Sequence, residues 1–158
     1  MSRKPTHADA ELLLRLYEIR RDPELRQARK WFLTDFKPGE WSEIKPHYLS
    51  HSDEDRWFRM TVSYWEMVGT LVNRGVLNAE LFFDHTGEDV VTWKRCESWI
   101  SGARADIRPT YLRHFEKLVA DHVGYRDRLN TAHAKAAARP AKRAAKHAAR
   151  REARRAKR

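Results

Sequence analysis

The stretch SDEDRWFRMTVSYWEMVGTLVNRG, Ser52 to Gly75, constrains the fold of this chain more than any other. At 3.6 residues per turn, Trp57, Thr61, Tyr64, Val68 and Leu71 form one stripe, and Phe58, Val62, Trp65 and Val72 form a second. A helix apolar along two stripes needs neighbours on both, which predicts a central helix in an all-α domain. Ser52 and Asp55 have the spacing of a capping box, and Gly75 suits the left-handed position past the last turn.

Helical punctuation recurs on either side of that element, and no period-two strand pattern is present. Thr6 with Asp9 predicts the cap of a first helix carrying Leu13, Leu16 and Tyr17 on one face. Asp22-Pro23-Glu24 predicts a second start, with Leu25, Ala28, Phe32 and Phe36 at helical spacing and Lys37-Pro38-Gly39 as its stop. Residues 41–50 read as a connector with a short helical turn. Asn78 predicts the cap of a short helix that turns Leu81, Phe82 and Phe83 inward. After the break HTGED, a helix from Val90 to Ile100 is expected, with Val90, Trp93 and Ile100 along one side and Ser101-Gly102 closing it. Pro109 is expected to start a last helix bearing Leu112, Phe115, Leu118 and Val119 and ending near Gly124. The expected fold is an all-α compact bundle of five or six helices, with a flexible or partly helical basic C-terminal tail.

The 158 residues carry a formal charge of +10, and its location matters more than its size. From Thr131 onward there are 11 Lys and Arg and one Glu, which leaves 21 basic and 21 acidic residues before it. Any electrostatic steering therefore belongs to the end of the chain. The expected organisation is a helical domain over 1–128 and an Ala/Lys/Arg-rich low-complexity tail over 129–158. Cys96 is the only cysteine and sits in a helical pattern, so it reads as a half-buried structural thiol rather than half of a disulfide. No secretory signal and no run approaching ~18 apolar residues is present, which together predict a cytoplasmic setting.

The run YWEMVGTLVNRGVLNAELFFDHTGEDVVTWKRCESWI resembles the core of a bacterial family known as domain of unknown function 4760. Three pieces carry the likeness. They are the turn Asn73-Arg74-Gly75-Val76-Leu77 ending the long helix; Glu80-Leu81-Phe82-Phe83 followed by Val91-Thr92-Trp93; and YLRHFEKL from Tyr111 to Leu118. DPELRQARKWF upstream fits as well. The resemblance covers about Ala8 to Asp127 and leaves the basic tail outside. It implies a small helical domain without an assigned activity, and relatives with membrane segments ahead of the domain; it supplies no catalytic residues.

Few residues suggest chemistry. His47 and His51 stand four apart, ahead of Asp53, Glu54 and Asp55, but Pro46 and the Ser52 cap break any continuous helix, so the reading is a solvated connector and an acidic first turn without metal. Asp84, His85 and Glu88 flank Gly87 in a loop that suits a general base, yet no nucleophile accompanies them. Gly69, Gly75 and Gly87 are isolated, so no phosphate-cradling loop and no nucleotide cofactor is indicated. Trp57, Trp65 and Trp93 belong to the apolar stripes and are expected in the core. Trp41 and Trp99 are the candidates for exposure, lining a partner groove with Phe36.

The tail AKAAARPAKRAAKHAARREARRAKR contains only good helix formers apart from Pro140 and His147, and nothing apolar larger than alanine. On a helix its arginines gather along one side and its alanines opposite. The expected ligand is the phosphate backbone of DNA or RNA, held by Lys142, Arg143, Lys146, Arg150, Arg151, Arg154, Arg155 and Arg158. No aromatic or amide side chain is there to read bases, so binding is expected to be sequence-independent. The functional expectation is a non-catalytic binding or adaptor module with a protein partner of unknown identity and no cofactor or metal. The alternatives are an enzyme built around Asp84 to Glu88, or a self-associating helical protein with an inert tail.

Overall fold

Capping side chains set the helix starts. The computed structural model describes residues 3–48 and 50–155, with side chains as far as Ala138. Thr6 Oγ1 accepts from Asp9 N at 3.3 Å while Asp9 Oδ2 accepts from Thr6 N at 2.7 Å, a complete capping box that opens α1 (His7–Arg21). Asp22 Oδ1 accepts from Glu24 N and Leu25 N at the start of α2 (Pro23–Thr34). α3 (Trp41–Ile44) is a single turn. Ser52 caps α4 (Asp53–Asn73), and Asn78 caps α5 (Ala79–His85). Then come α6 (Glu88–Lys94), α7 (Ile100–Asp106) and α8 (Arg113–Arg155).

The described residues are therefore all-helical, with eight helices rather than five or six. One addition is α3. The other comes from the stretch expected to run from Val90 to Ile100, which turns at Arg95–Trp99 and restarts as α7. Ser101-Gly102 lies inside α7 and does not close a helix. Gly102 is there for proximity: a Cβ on it would stand 2.5 Å from Trp41 Cβ, and α3 packs on α7. The last helix starts at Arg113, not Pro109, after Leu112 at φ 52°, and continues through Gly124 to Arg155. Gly124 has no left-handed φ to terminate it, and the alanine-rich sequence beyond favours continuation.

The expected capping box at Ser52 is half formed. Ser52 Oγ accepts from Asp55 N at 3.1 Å, but Asp55 Oδ2 accepts from His51 N instead of Ser52 N. His51 sits in the left-handed region at φ 59°, which presents its own N–H to the carboxylate.

The chain divides into two units, Met1–His122 and Val123–Arg158. In the first, α4 packs most extensively on α2, with α1 against α2 and α5 against α4. Both stripes of α4 are used: Phe58, Thr61, Val62, Tyr64, Trp65, Val68, Gly69 and Val72 are buried. Burying each large apolar side chain stabilises by about 1.5–3 kcal/mol, and this helix supplies more such groups than any other. Phe115, Leu118 and Val119 complete the core from the first turns of α8, as their spacing predicts. In the second unit the helical backbone reaches Arg155, and the Arg128 guanidinium lies 6.0 Å from the Tyr125 ring centroid.

A candidate binding cleft and the buried polar clusters

The junction of α2, α3 and α4 leaves a cleft of about 280 Å³. The end of α2 supplies Trp31 and, just beyond it, Asp35 and Phe36; α3 and its following turn supply Glu43, Ile44, His47 and Tyr48. The first turns of α4 supply Glu54, Asp55 and Phe58. The rings form one wall, with Trp31–Phe36 centroids 5.4 Å apart, Phe36–Phe58 5.5 Å and Tyr48–Phe58 5.9 Å. Of the carboxylates in the cleft, Asp35, Glu43 and Glu54 are exposed and Asp55 is buried.

Several bonds hold this junction open. Glu43 Oε2 accepts from Glu40 N at 2.9 Å, fixing α3, and Ser98 Oγ donates to Gly39 O at 3.0 Å. The Arg95 guanidinium donates to Phe36 O. Trp41 Nε1 and Lys45 Nζ both donate to the Asp106 carboxylate at 3.1 and 2.8 Å, tying α3 to α7. The Lys45 bond, then the Trp41 bond, holds the Asp106 carboxyl below its usual range. Of the three aromatics expected to line a groove, only Phe36 does so. Trp41 and Trp99 are buried at 7% and 0% exposure, because the Gly102 approach and the Phe58–Trp99 contact at 5.1 Å enclose them. Trp31 and Trp57 are the partly exposed tryptophans instead: Trp65 and Trp93 are in the core as expected, but Trp57 is not, its ring lying beside Trp31 at 6.0 Å.

The family model described as "Domain of unknown function (DUF4760)" matches residues 5–122, three quarters of the chain. The chain belongs to the DUF4760 family. No curated protein and no solved structure matches it. The DUF4760 segment contains the cleft, α1 to α7 and the groups Asp9, Glu88, Asp89 and His122, while Arg3 and the basic end of the chain lie outside it.

Within the DUF4760 segment, the loop that suggested a general base holds Glu88 in a network of ion pairs. Glu88 accepts from Arg20 Nη2 at 2.6 Å and from Arg29 Nε at 2.5 Å, and also from Arg29 Nη2. Burial alone would raise its carboxyl, but the Arg29 hydrogen bond and both guanidinium charges hold it below the usual range. A carboxylate held this way is a poor base at neutral pH and a good clamp between α1, α2 and α6. His85 is exposed and meets the Tyr17 ring edge-on at 5.7 Å. His47 lines the cleft, and among the described residues no group of His, Cys, Asp and Glu is arranged to hold a metal. Cys96 is fully rather than half buried, and burial pushes its thiol up.

Two clusters escape a reading by motif. Asp9 is 1% exposed and accepts from Arg3 Nη1 at 2.6 Å, from the Thr6 hydroxyl and N–H, and from Asn78 N at 2.8 Å. It therefore joins the start of α1 to the turn before α5. In the second, His122 Nδ1 lies 2.7 Å from Asp89 Oδ2, with both side chains at 0% exposure and the imidazole stacked on Phe83. The available signal was spacing: Phe115, Leu118 and His122 continue one apolar stripe, so His122 is placed to point inward.

The basic residues expected to hold nucleic acid fall at the end of α8. Lys142, Arg143, Lys146, Arg150, Arg151, Arg154 and Arg155 are on its helical backbone, with side chains outside the described residues. Arg158 lies outside them entirely. Among the described residues no helix is long and apolar enough to cross a membrane.

Proposed function

We propose that this DUF4760 protein is a non-catalytic binding module in the cytoplasm, organised as a helical domain over 1–128 and a basic tail over 129–158 that binds nucleic acid without regard to sequence. The observation that carries the reading is charge segregation: the entire +10 arises after Asn130, ahead of which acids and bases balance. A helical backbone as far as Arg155 supports it, since a helical period in the sequence puts several of the tail's cations on a shared face. The domain's recognition surface is the cleft between α2, α3 and α4. The enzyme reading around Asp84 to Glu88 gains no support from a Glu88 already occupied by two guanidiniums.

The test compares the full chain with a chain ending at Asn130, and with a full chain carrying Arg150, Arg151, Arg154 and Arg155 replaced by Gln. Binding to duplex DNA and to RNA is measured across a salt series. The full chain should show affinity falling with salt at a log–log slope of about −0.9 per phosphate contact on DNA, equally for unrelated sequences. Both altered chains should lose that affinity. Equal binding by all three, or no binding by the full chain at low salt, sinks the tail assignment.

A further inference from the structure

We propose that the cleft between α2, α3 and α4 binds a small organic cation, an ammonium group on an aliphatic body; this rests on the cleft being the domain's recognition surface. The walls define the class. Trp31 and Tyr48, partly exposed, back onto the buried rings of Phe36 and Phe58 to make an aromatic wall, and ring faces carry the negative side of the quadrupole. Asp35, Glu43, Glu54 and Asp55 share the same cleft with a single lysine, Lys37.

Most of these carboxylates already have partners. Asp55 is 2% exposed and paired with Arg59, whose Nε lies 3.0 Å from Oδ1 although that oxygen accepts no aligned hydrogen bond. Glu43 accepts from Glu40 N, and Asp35 accepts from the Thr34 hydroxyl at 2.9 Å. Glu54 has no hydrogen bond or ion pair among the described residues. Lys37, Arg59 and the Arg95 guanidinium on Phe36 O offset three of the four charges, so the cleft keeps an excess of one carboxylate beside an apolar wall. An anion meets repulsion there, and a neutral apolar ligand leaves the carboxylates unanswered. A cation with a short hydrocarbon body satisfies both walls. The volume of about 280 Å³ is at the lower end of ligand pockets, which favours a molecule of a few carbons or one basic side chain.

Isothermal titration calorimetry of the full chain distinguishes the outcomes, with 1,5-diaminopentane, the lysyl peptide Ac-Ala-Lys-Ala-amide and the neutral isostere 1,5-pentanediol as probes. The variants are Glu54→Gln, whose exposed side chain holds nothing in place, and Trp31→Leu, each checked for unchanged helical circular dichroism. Saturable binding of the diamine or the peptide is expected, about tenfold weaker in Glu54→Gln and several-fold weaker in Trp31→Leu. Tighter binding of the diamine identifies a free amine as the ligand, and tighter binding of the peptide identifies a lysine of a partner protein. Diol binding that Trp31→Leu abolishes and Glu54→Gln spares keeps the cleft as a binding site and overturns the cationic class. No saturable binding by any probe overturns both.

Discussion

His122 Nδ1 and Asp89 Oδ2 meet at 2.7 Å with both side chains wholly withdrawn from solvent, and the imidazole lies 4.7 Å from the Phe83 ring centroid at an angle of 16°. Deleting one partner strands the other. His122→Ala is expected to cost about 3–5 kcal/mol, as for breaking a buried pair, while the double replacement His122→Leu with Asp89→Leu costs less than His122→Ala alone. Urea unfolding midpoints of the three proteins check the order. A double variant less stable than His122→Ala refutes the account.

Two glycines make opposite demands. A Cβ on Gly69 would overlap the backbone carbonyl of His114, which cannot move aside cheaply, whereas a Cβ on Gly75 meets nothing within 4 Å and suffers only from φ +70°. Gly69→Ala should therefore cost about 1–3 kcal/mol through overpacking, with a displaced α8 start. Gly75→Asn should cost under about 1 kcal/mol, because Asn tolerates the left-handed region. Thermal midpoints of the two single variants are the measurement.

Acid should loosen the start of the chain. Hydrogen bonds from Arg3 and then Thr6 hold the Asp9 carboxyl well below the usual carboxylate range, against the opposing effect of its desolvation. A depressed carboxyl contributes stability that is present above its unfolded value near about 4 and lost as pH falls toward the folded value. Asp9→Asn should lower stability at pH 7 and flatten its decline between about pH 5 and pH 2. A pH series of unfolding midpoints showing parallel curves for the two proteins contradicts this.

Alkali acts at Tyr64. Burial pushes its phenol up to about 12, and its hydroxyl donates to Leu16 O at 3.2 Å. A raised phenol contributes stability that is intact below the unfolded value of about 10 and lost as pH rises through the folded one. Tyr64→Phe should thus remove a component of alkaline destabilisation between about pH 10 and pH 12. Stability curves in that interval, wild type against variant, test it.

Cys96 is enclosed at 0% exposure and its thiol is held protonated by burial. Labelling with a thiol reagent at pH 8 should be undetectable in the native protein and stoichiometric in denaturant. Rapid labelling of native protein would show that the Arg95–Trp99 turn opens.

Much of the helix map was legible because capping is local. Thr6, Asp22, Ser52 and Asn78 each cap the helix their spacing predicts, and Gly75 has the positive φ expected of it. The break between α6 and α7 was not legible, since Val90 to Ile100 keeps a helical period across the Arg95–Trp99 turn. The exposure of individual tryptophans failed for a related reason. Trp41 reads from sequence as part of a connector, yet it opens α3 and is buried because a glycine far along the chain, Gly102, lets it approach. Asp35 and Glu43 carry no motif and Glu54 reads only as part of an acidic first turn, and the meeting of α2, α3 and α4 brings them to one cleft with Trp31 and Phe58.

By itself the sequence determined the helical class, most helix starts, the two-sided burial of α4 and the confinement of net charge to the end of the chain. These follow from side-chain period, capping chemistry and counting, all properties of neighbours along the chain. Tertiary structure alone decided that Glu88 is held between two guanidiniums, that His122 and Asp89 share a dry pocket, and that one cleft brings carboxylates to an aromatic wall. Each of those depends on groups far apart in sequence whose desolvation and pairing exist only once the helices pack.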